Sequence, residues 1–297
     1  MNKLGVHAFV WTAGWSHDDC AHAIAKTAEV GFDLIEASTL DLDAMDVPFT
    51  QKQLEKAGIG VTFSFGLDAE TDISSNDRDN EMRGEARLMK ALALARDLGA
   101  THICGILESA FQKYTVPTTA EGVKRAVAVL QRVGEAAARS NVIVGLEVVN
   151  RYESNVLNTA SQAVDMCQRI GSTHVKAHLD VYHMNIEESD IGQAIIETGD
   201  HLGYFHTGDS HRGYLGSGSI DLAGVFRALV KANYQGPITF ESFSSRVVGQ
   251  PLEGILGIWR NLWEDSHDLA SHALMYTRAQ LKAAHEAQKQ AERSRLP

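Results

Sequence analysis

Cysteine is scarce: Cys20, Cys104 and Cys167 are the three in 297 residues, far apart and without a CxxC pair. An odd, scattered set excludes a disulfide framework and a cysteine-based zinc site. Basic charge is outnumbered, with 27 Lys and Arg against 38 Asp and Glu and a net charge of −11. Such a surface argues against gripping a phosphate backbone, so no nucleic-acid partner is expected, while a small neutral substrate stays open. No apolar run approaches the ~20 residues of a membrane span, and "MNKLGVHAFVW" holds too short an apolar run for a signal peptide. A soluble cytoplasmic protein with no membrane partner is the expectation. No strand-like run leads into GxGxxG or GxxxxGK[ST], so a Rossmann or P-loop site lacks its signature. Linkers, low-complexity stretches and short internal repeats are also missing.

What is present is an alternation of β-rich and helical runs. The predicted strands are 4–11, 32–38, 59–67, 101–108, 143–149, 174–184, 203–209 and 236–244. Helical runs separate them. The clearest is "PTTAEGVKRAVAVLQRVGEAAARS", in which Thr118 and Glu121 form a capping-box pattern and Val123, Ala126, Val127, Leu130 and Val133 recur at helical spacing. The strands read as apolar runs, as a parallel sheet covered by helices requires. Eight βα units predict an α/β fold, one (β/α)8 TIM barrel domain over 1–297, with about 255–297 as a long helical C-terminal segment. A doubly wound open sheet is the structural alternative.

The strand "IVGLEVV" interrupts its apolar run with Glu147. Burying a lone carboxylate is costly, so Glu147 needs a partner. The next three strands repeat the anomaly with Asp180, His206 and Glu241 near their C-terminal ends. In a (β/α)8 barrel these ends converge where chemistry sits. Three carboxylates and one imidazole suit a hard or borderline divalent ion: Mn²⁺, Mg²⁺ or Co²⁺. The bland reading is a buried salt-bridge network with Arg151 and Arg212. Glu36, Glu108 and His102, also at strand edges, read as ion pairs, caps or surface residues.

At these residues the chain resembles the ketose 3-epimerases, which act on D-tagatose, D-allulose (D-psicose) or L-ribulose, within the sugar isomerase and endonuclease-IV-like barrel superfamily. The motifs are "LEVVNRYE" (146–153), "HLDVYHMNIEE" (178–188), "FHTGDSHRGYLGSGSID" (205–221) and "FESFSS" (240–245), with Trp11 and Trp15 of "VWTAGW". "NRYE", "NVLNTA" and "GIWRNLW" are similar to the L-ribulose/D-allulose branch. The resemblance implies that Glu147, Asp180, His206 and Glu241 bind one divalent metal, usually Mn²⁺. It implies that Glu147 and Glu241 are the catalytic pair, and that Glu153, His183 and Arg212 hold the C1–C3 end of a ketose. It also implies a homodimer or homotetramer. His7 and Ser64 depart from D-tagatose 3-epimerase, and "GILESAFQKY" lacks the Trp-Pro of several relatives. His7, Ser64 and Glu108 are therefore candidate substrate contacts that set sugar preference. A ketose–aldose isomerase on the same barrel is the alternative enzyme. DNA repair and non-catalytic sugar binding are the other classes, opposed by the net charge and by the intact glutamate pair. "GIWRNLW" reads as a helix of the outer barrel, or else as a subunit interface.

Overall fold

The computed structural model describes residues 2–294. Among them, eight parallel strands close into a barrel in chain order. They are β1 (Leu4–His7), β2 (Leu34–Ser38), β3 (Gly60–Ser64), β4 (His102–Gly105), β5 (Ile143–Val148), β6 (Val175–Asp180), β7 (Leu202–Thr207) and β8 (Ile238–Phe240). The first helices are α1 (His17–Val30), α2 (Val47–Ala57), α3 (Arg78–Leu98), α4 (Ala120–Ser140) and α5 (Ala160–Ile170). Then come α6 (Val181–Glu187), α7 (Ile191–Thr198), α8 (Leu222–Lys231), α9 (Ser245–Val248), α10 (Leu252–Ile255) and α11 (Ser266–Arg293). β1 pairs with β8 through Leu4↔Ile238 and Val6↔Phe240, which excludes the open sheet.

Local chemistry explains where elements start and stop. α4 buries Ala126, Val127, Leu130, Val133 and Ala137 against the barrel. Its cap is Thr119, one residue later than the sequence pattern suggests, because the Thr119 hydroxyl accepts from the Gly122 N–H. The last residue of α4 is followed by Asn141 at φ 54°, a left-handed stop that Asn tolerates. The strands are shorter than their apolar runs imply. The sixth run ends as a strand at Asp180, and Val181–Glu187 is helix, so His183 sits on α6 rather than on a strand.

The C-terminal segment is only partly helical. Residues 256–265 are irregular, and "GIWRNLW" lies within them, so no helix presents its aromatic residues on one face. Ile258 and Trp263 are buried while Trp259 is 72% exposed. The Trp263 indole N–H donates to Ser242 Oγ at 2.8 Å, pinning this loop to the residue after the site's last carboxylate.

The strands are buried on both faces, but the faces differ in chemistry. Apolar side chains such as Val144, Leu146, Leu179 and Phe205 join the core under the helices. Inside the barrel lie Glu36, Thr62, His178, Tyr204 and Thr239, all 0% exposed. A Cβ added to Gly145 would lie 3.2–3.5 Å from the Cβ atoms of His178, Cys104 and Tyr204. That glycine makes room for two rings in one layer of the barrel interior.

Candidate metal and substrate site

Parallel register places the four strand-end residues side by side. Asp180 pairs with His206 across β6 and β7, and Glu147 pairs with His178 two residues below Asp180. Glu241 follows β8 directly, and its N–H donates to the Thr207 carbonyl at 3.0 Å, so the ladder continues to that residue. One ligand atom from each of Glu147, Asp180, His206 and Glu241 lies within 4.8 Å of the others. His206 Nδ1 is central, 3.7 Å from Glu147 Oε1, 3.9 Å from Asp180 Oδ2 and 3.6 Å from Glu241 Oε2. Asp180 Oδ2 and His206 Nδ1 are buried without a hydrogen bond. Buried donor atoms without hydrogen bonds, gathered within 4.8 Å of one another, fit a divalent cation, and the oxygen-rich donor set fits a hard or borderline one.

The electrostatics separate the two glutamates. Burial, reinforced by the charges of Glu241 and Asp180, pushes Glu147 up to about 7 against the pull of His206. Glu241 is equally buried, yet Arg212 and His206 outweigh that and hold it well below the usual carboxylate range. Burial opposes a charge on His206, but Glu36 and Glu241 raise it well above the ordinary imidazole value.

Arg212 is the bridging cation, with Nη1 3.0 Å from Asp180 Oδ2 and 2.5 Å from Glu241 Oε2. Its guanidinium sits 4.0 Å from the Tyr182 ring centroid and 5.1 Å from that of Phe243. Arg151, in contrast, leaves the site and pairs with Glu187. The bland salt-bridge reading therefore holds for Arg212 only. A cavity of about 130 Å³ is lined by Glu147, His206 and Glu241, by Glu153, His183 and Arg212, and by His7, Phe9 and Ser64. The structure thus brings nine of the ten predicted site residues together, with Asp180 buried just behind the lining. Glu108 stays apart from the cavity wall: it is 0% exposed, and its Oε2 accepts from the Leu107 N–H.

A xylose isomerase-like TIM barrel model matches residues 24–276. A ketose 3-epimerase of Arthrobacter globiformis is 44% identical over 281 residues, covering 95% of this chain and 97% of that one. This chain belongs to the ketose 3-epimerase family. The epimerase is accordingly an isomerase-class carbohydrate enzyme. Its structure superposes on an L-ribulose 3-epimerase with a TM-score of 0.96 at 40% identity, over 100% of both chains. A Methylomonas sp. D-allulose 3-epimerase, crystallised in complex with D-allulose, gives 0.92 at 41% identity, over 94% of this chain and 97% of that one.

Three residues of the epimerase's site escaped the sequence reading. Asn150 organises the Glu153 and His183 side of the cavity: its side-chain amide donates to Glu153 Oε1 at 2.8 Å and contacts His183 Nδ1 at 2.9 Å. The Asn150 backbone N–H also approaches His183 Nδ1 at 3.3 Å. With Nδ1 accepting from two Asn150 donors, a neutral His183 carries its proton on Nε2, which lies 3.6 Å from Asp180 Oδ2 and 3.9 Å from Glu153 Oε2, with Arg212 Nη2 at 3.5 Å. Burial also lowers His183 to about 4, so it sits neutral. His178 forms an overlapping donor set with Glu147 and His206, and both of its ring nitrogens lack hydrogen bonds. Its position two residues before Asp180 was the available signal, since alternate residues of a strand share a face. Glu36 is the third. It is buried in the barrel, and its Oε2 lies 2.8 Å from His206 Nε2.

Proposed function

We propose that the epimerase inverts C3 of free 2-ketoses, of the D-allulose/D-fructose, L-ribulose/L-xylulose and D-tagatose/D-sorbose type, through an enediolate between Glu147 and Glu241. The observation that carries this is the placement of two glutamates from non-adjacent strand ends on a shared centre, with their proton affinities pushed apart. Inversion needs removal of the C3 proton on one face and delivery on the other, so one group must start ionised and the other protonated. Glu241, held ionised beside Arg212, takes the C3 proton. Glu147, poised to carry a proton, returns one to the opposite face, and the roles exchange for the reverse epimer. The pair titrates as a unit.

Glu147, Asp180, His206 and Glu241 would hold one divalent ion, Mn²⁺ first, with Mg²⁺ or Co²⁺ as alternatives. When bound, it would polarise the C2 carbonyl and lower the cost of negative charge on the neighbouring oxygens. Glu153, His183 and Arg212 hold the C1–C3 end of the sugar. His7 and Ser64 line the part facing C4 to C6 and set sugar preference. Residues 1–297 are taken as one barrel domain. The protein is taken as cytoplasmic, a reading supported by three buried, unpaired thiols. No helix of the described residues is long and apolar enough to cross a membrane.

The test is incubation of the metal-loaded enzyme with D-fructose and with L-ribulose in deuterated water. A new ketose deuterated at C3 is expected. An aldose labelled at C1 or C2 would replace this reading with ketose–aldose isomerisation. E241Q is expected to lower kcat by at least ~10²-fold, the usual scale of a lost acid–base group.

A further inference from the structure

The geometry assigns Glu36 as a positioning residue that decides which nitrogen of His206 faces the carboxylate cluster; this rests on the divalent-ion reading of that cluster. Glu36 comes from β2, far in sequence from every predicted ligand, and is 0% exposed. Its Oε2 lies 2.8 Å from His206 Nε2 and 2.7 Å from the Tyr204 hydroxyl. An ionised carboxylate only accepts, so both contacts must be donated to it. The His206 proton on that side is therefore on Nε2. In the neutral imidazole, the form that ligates a metal, Nδ1 is then the bare nitrogen, facing Glu147, Asp180 and Glu241 at 3.6–3.9 Å.

The same logic propagates. Tyr204 has one hydroxyl proton, and it is donated to Glu36. Thr62 Oγ1 at 2.7 Å and Thr239 Oγ1 at 2.6 Å must then donate to the Tyr204 oxygen. One anion thus sets every proton direction in a buried chain drawn from β2, β3, β7 and β8. The other oxygen of Glu36, Oε1, makes no hydrogen bond and faces His7 Nε2 at 3.6 Å. His7 accepts the Phe9 N–H on Nδ1 at 3.1 Å, so its proton too is on the nitrogen turned towards Glu36.

A ligating histidine whose other nitrogen donates to a carboxylate is fixed in tautomer and ring orientation, and losing that partner typically costs ~10–100-fold in metal affinity. A merely structural Glu36 would be replaced by any acceptor of its shape. Glutamine is that replacement, but its amide can also turn a donor towards His206 Nε2 and permit the opposite tautomer.

The experiment uses full-length protein stripped of metal with a chelator and titrated with Mn²⁺ by calorimetry. E36Q is expected to weaken Mn²⁺ binding ~10–100-fold while the thermal midpoint of the metal-free protein changes little. Wild-type affinity in folded E36Q would overturn the proposal. D180N is the control for the site itself. If D180N binds Mn²⁺ as the wild type does, the divalent-ion reading fails; if D180N loses Mn²⁺ and E36Q does not, the Glu36 role alone fails. A second measurement needs no folded Glu36 variant: ¹⁵N-histidine NMR of the Mg²⁺-loaded wild type, with His206 assigned by its absence in H206Q. A proton on Nε2 and a bare Nδ1 are expected, and a proton on Nδ1 would overturn the assignment.

Discussion

Two glutamates with the same burial show how a residue's neighbours decide its charge. Glu36 and Glu108 are both 0% exposed. Burial alone would raise both, but His206 pulls Glu36 down to about 2, whereas Glu108 has only backbone N–H contacts against burial and rises to about 8. The sequence reading offered Glu108 as a substrate contact and left Glu36 as an ion pair, cap or surface residue, because a strand-edge Glu looks the same whichever ring stands opposite it. Glu108 carries a stability consequence. Between its ordinary value of 4.5 and about 8, the unfolded chain has released a proton that the folded chain keeps. Stability therefore falls as pH rises through that window. E108Q keeps the acceptor for the Leu107 N–H and removes the titration. Its thermal midpoint is expected to exceed that of the wild type by a margin that grows from pH 4.5 to pH 8 and then levels. Parallel midpoint curves would refute this.

At the scale of elements, Asp180 joins β6 to α6. Its Oδ1 accepts from the Tyr182 N–H at 2.7 Å as the cap of α6, while Oδ2 faces His206 Nδ1. One carboxylate thus ends a strand, starts a helix and completes the cluster. That double duty hid the boundary in the sequence, where "HLDVYHM" continues the β-rich pattern without a break. The two roles separate by substitution. D180N retains an oxygen for the cap and is expected to lose Mn²⁺ affinity with little change in metal-free stability. D180A loses both, and its metal-free protein is expected to be ~1 kcal/mol less stable, the usual size of a lost helix cap. Chemical denaturation of the two variants without metal distinguishes these outcomes, and equal stabilities would reject the capping role.

For the whole molecule, closure of the barrel lets Glu36 of β2 reach across the interior to His206 of β7, with β1 and β8 between the two strands, and leaves Trp259 outside. That indole, 72% exposed beside the 46% exposed Ile255, supports the reading that the epimerase is a homodimer or homotetramer. Sedimentation equilibrium is expected to give a mass two or four times the 32.4 kDa chain. W259D is expected to shift the population towards the single chain. A monomeric wild type would reject the assembly, and an unmoved W259D would exclude this loop from the interface.

The amino-acid sequence by itself determined the eight-fold alternation, the four strand-end ligand candidates and the family, because local periodicity and contiguous motifs are written along the chain. It also carried Glu153, His183 and Arg212, each inside a recognisable motif. Tertiary structure alone decided that Glu36 meets His206, that Asn150 sets the His183 tautomer, and that Glu108 turns away from the cavity. The first depends on which inward-facing side chains share the barrel interior once β1 and β8 have closed, and the other two on how the loops after β5 and β4 settle over the strand ends. Glu36 and His206 are 170 positions apart in the chain and 2.8 Å apart in the barrel, and no local pattern encodes that distance.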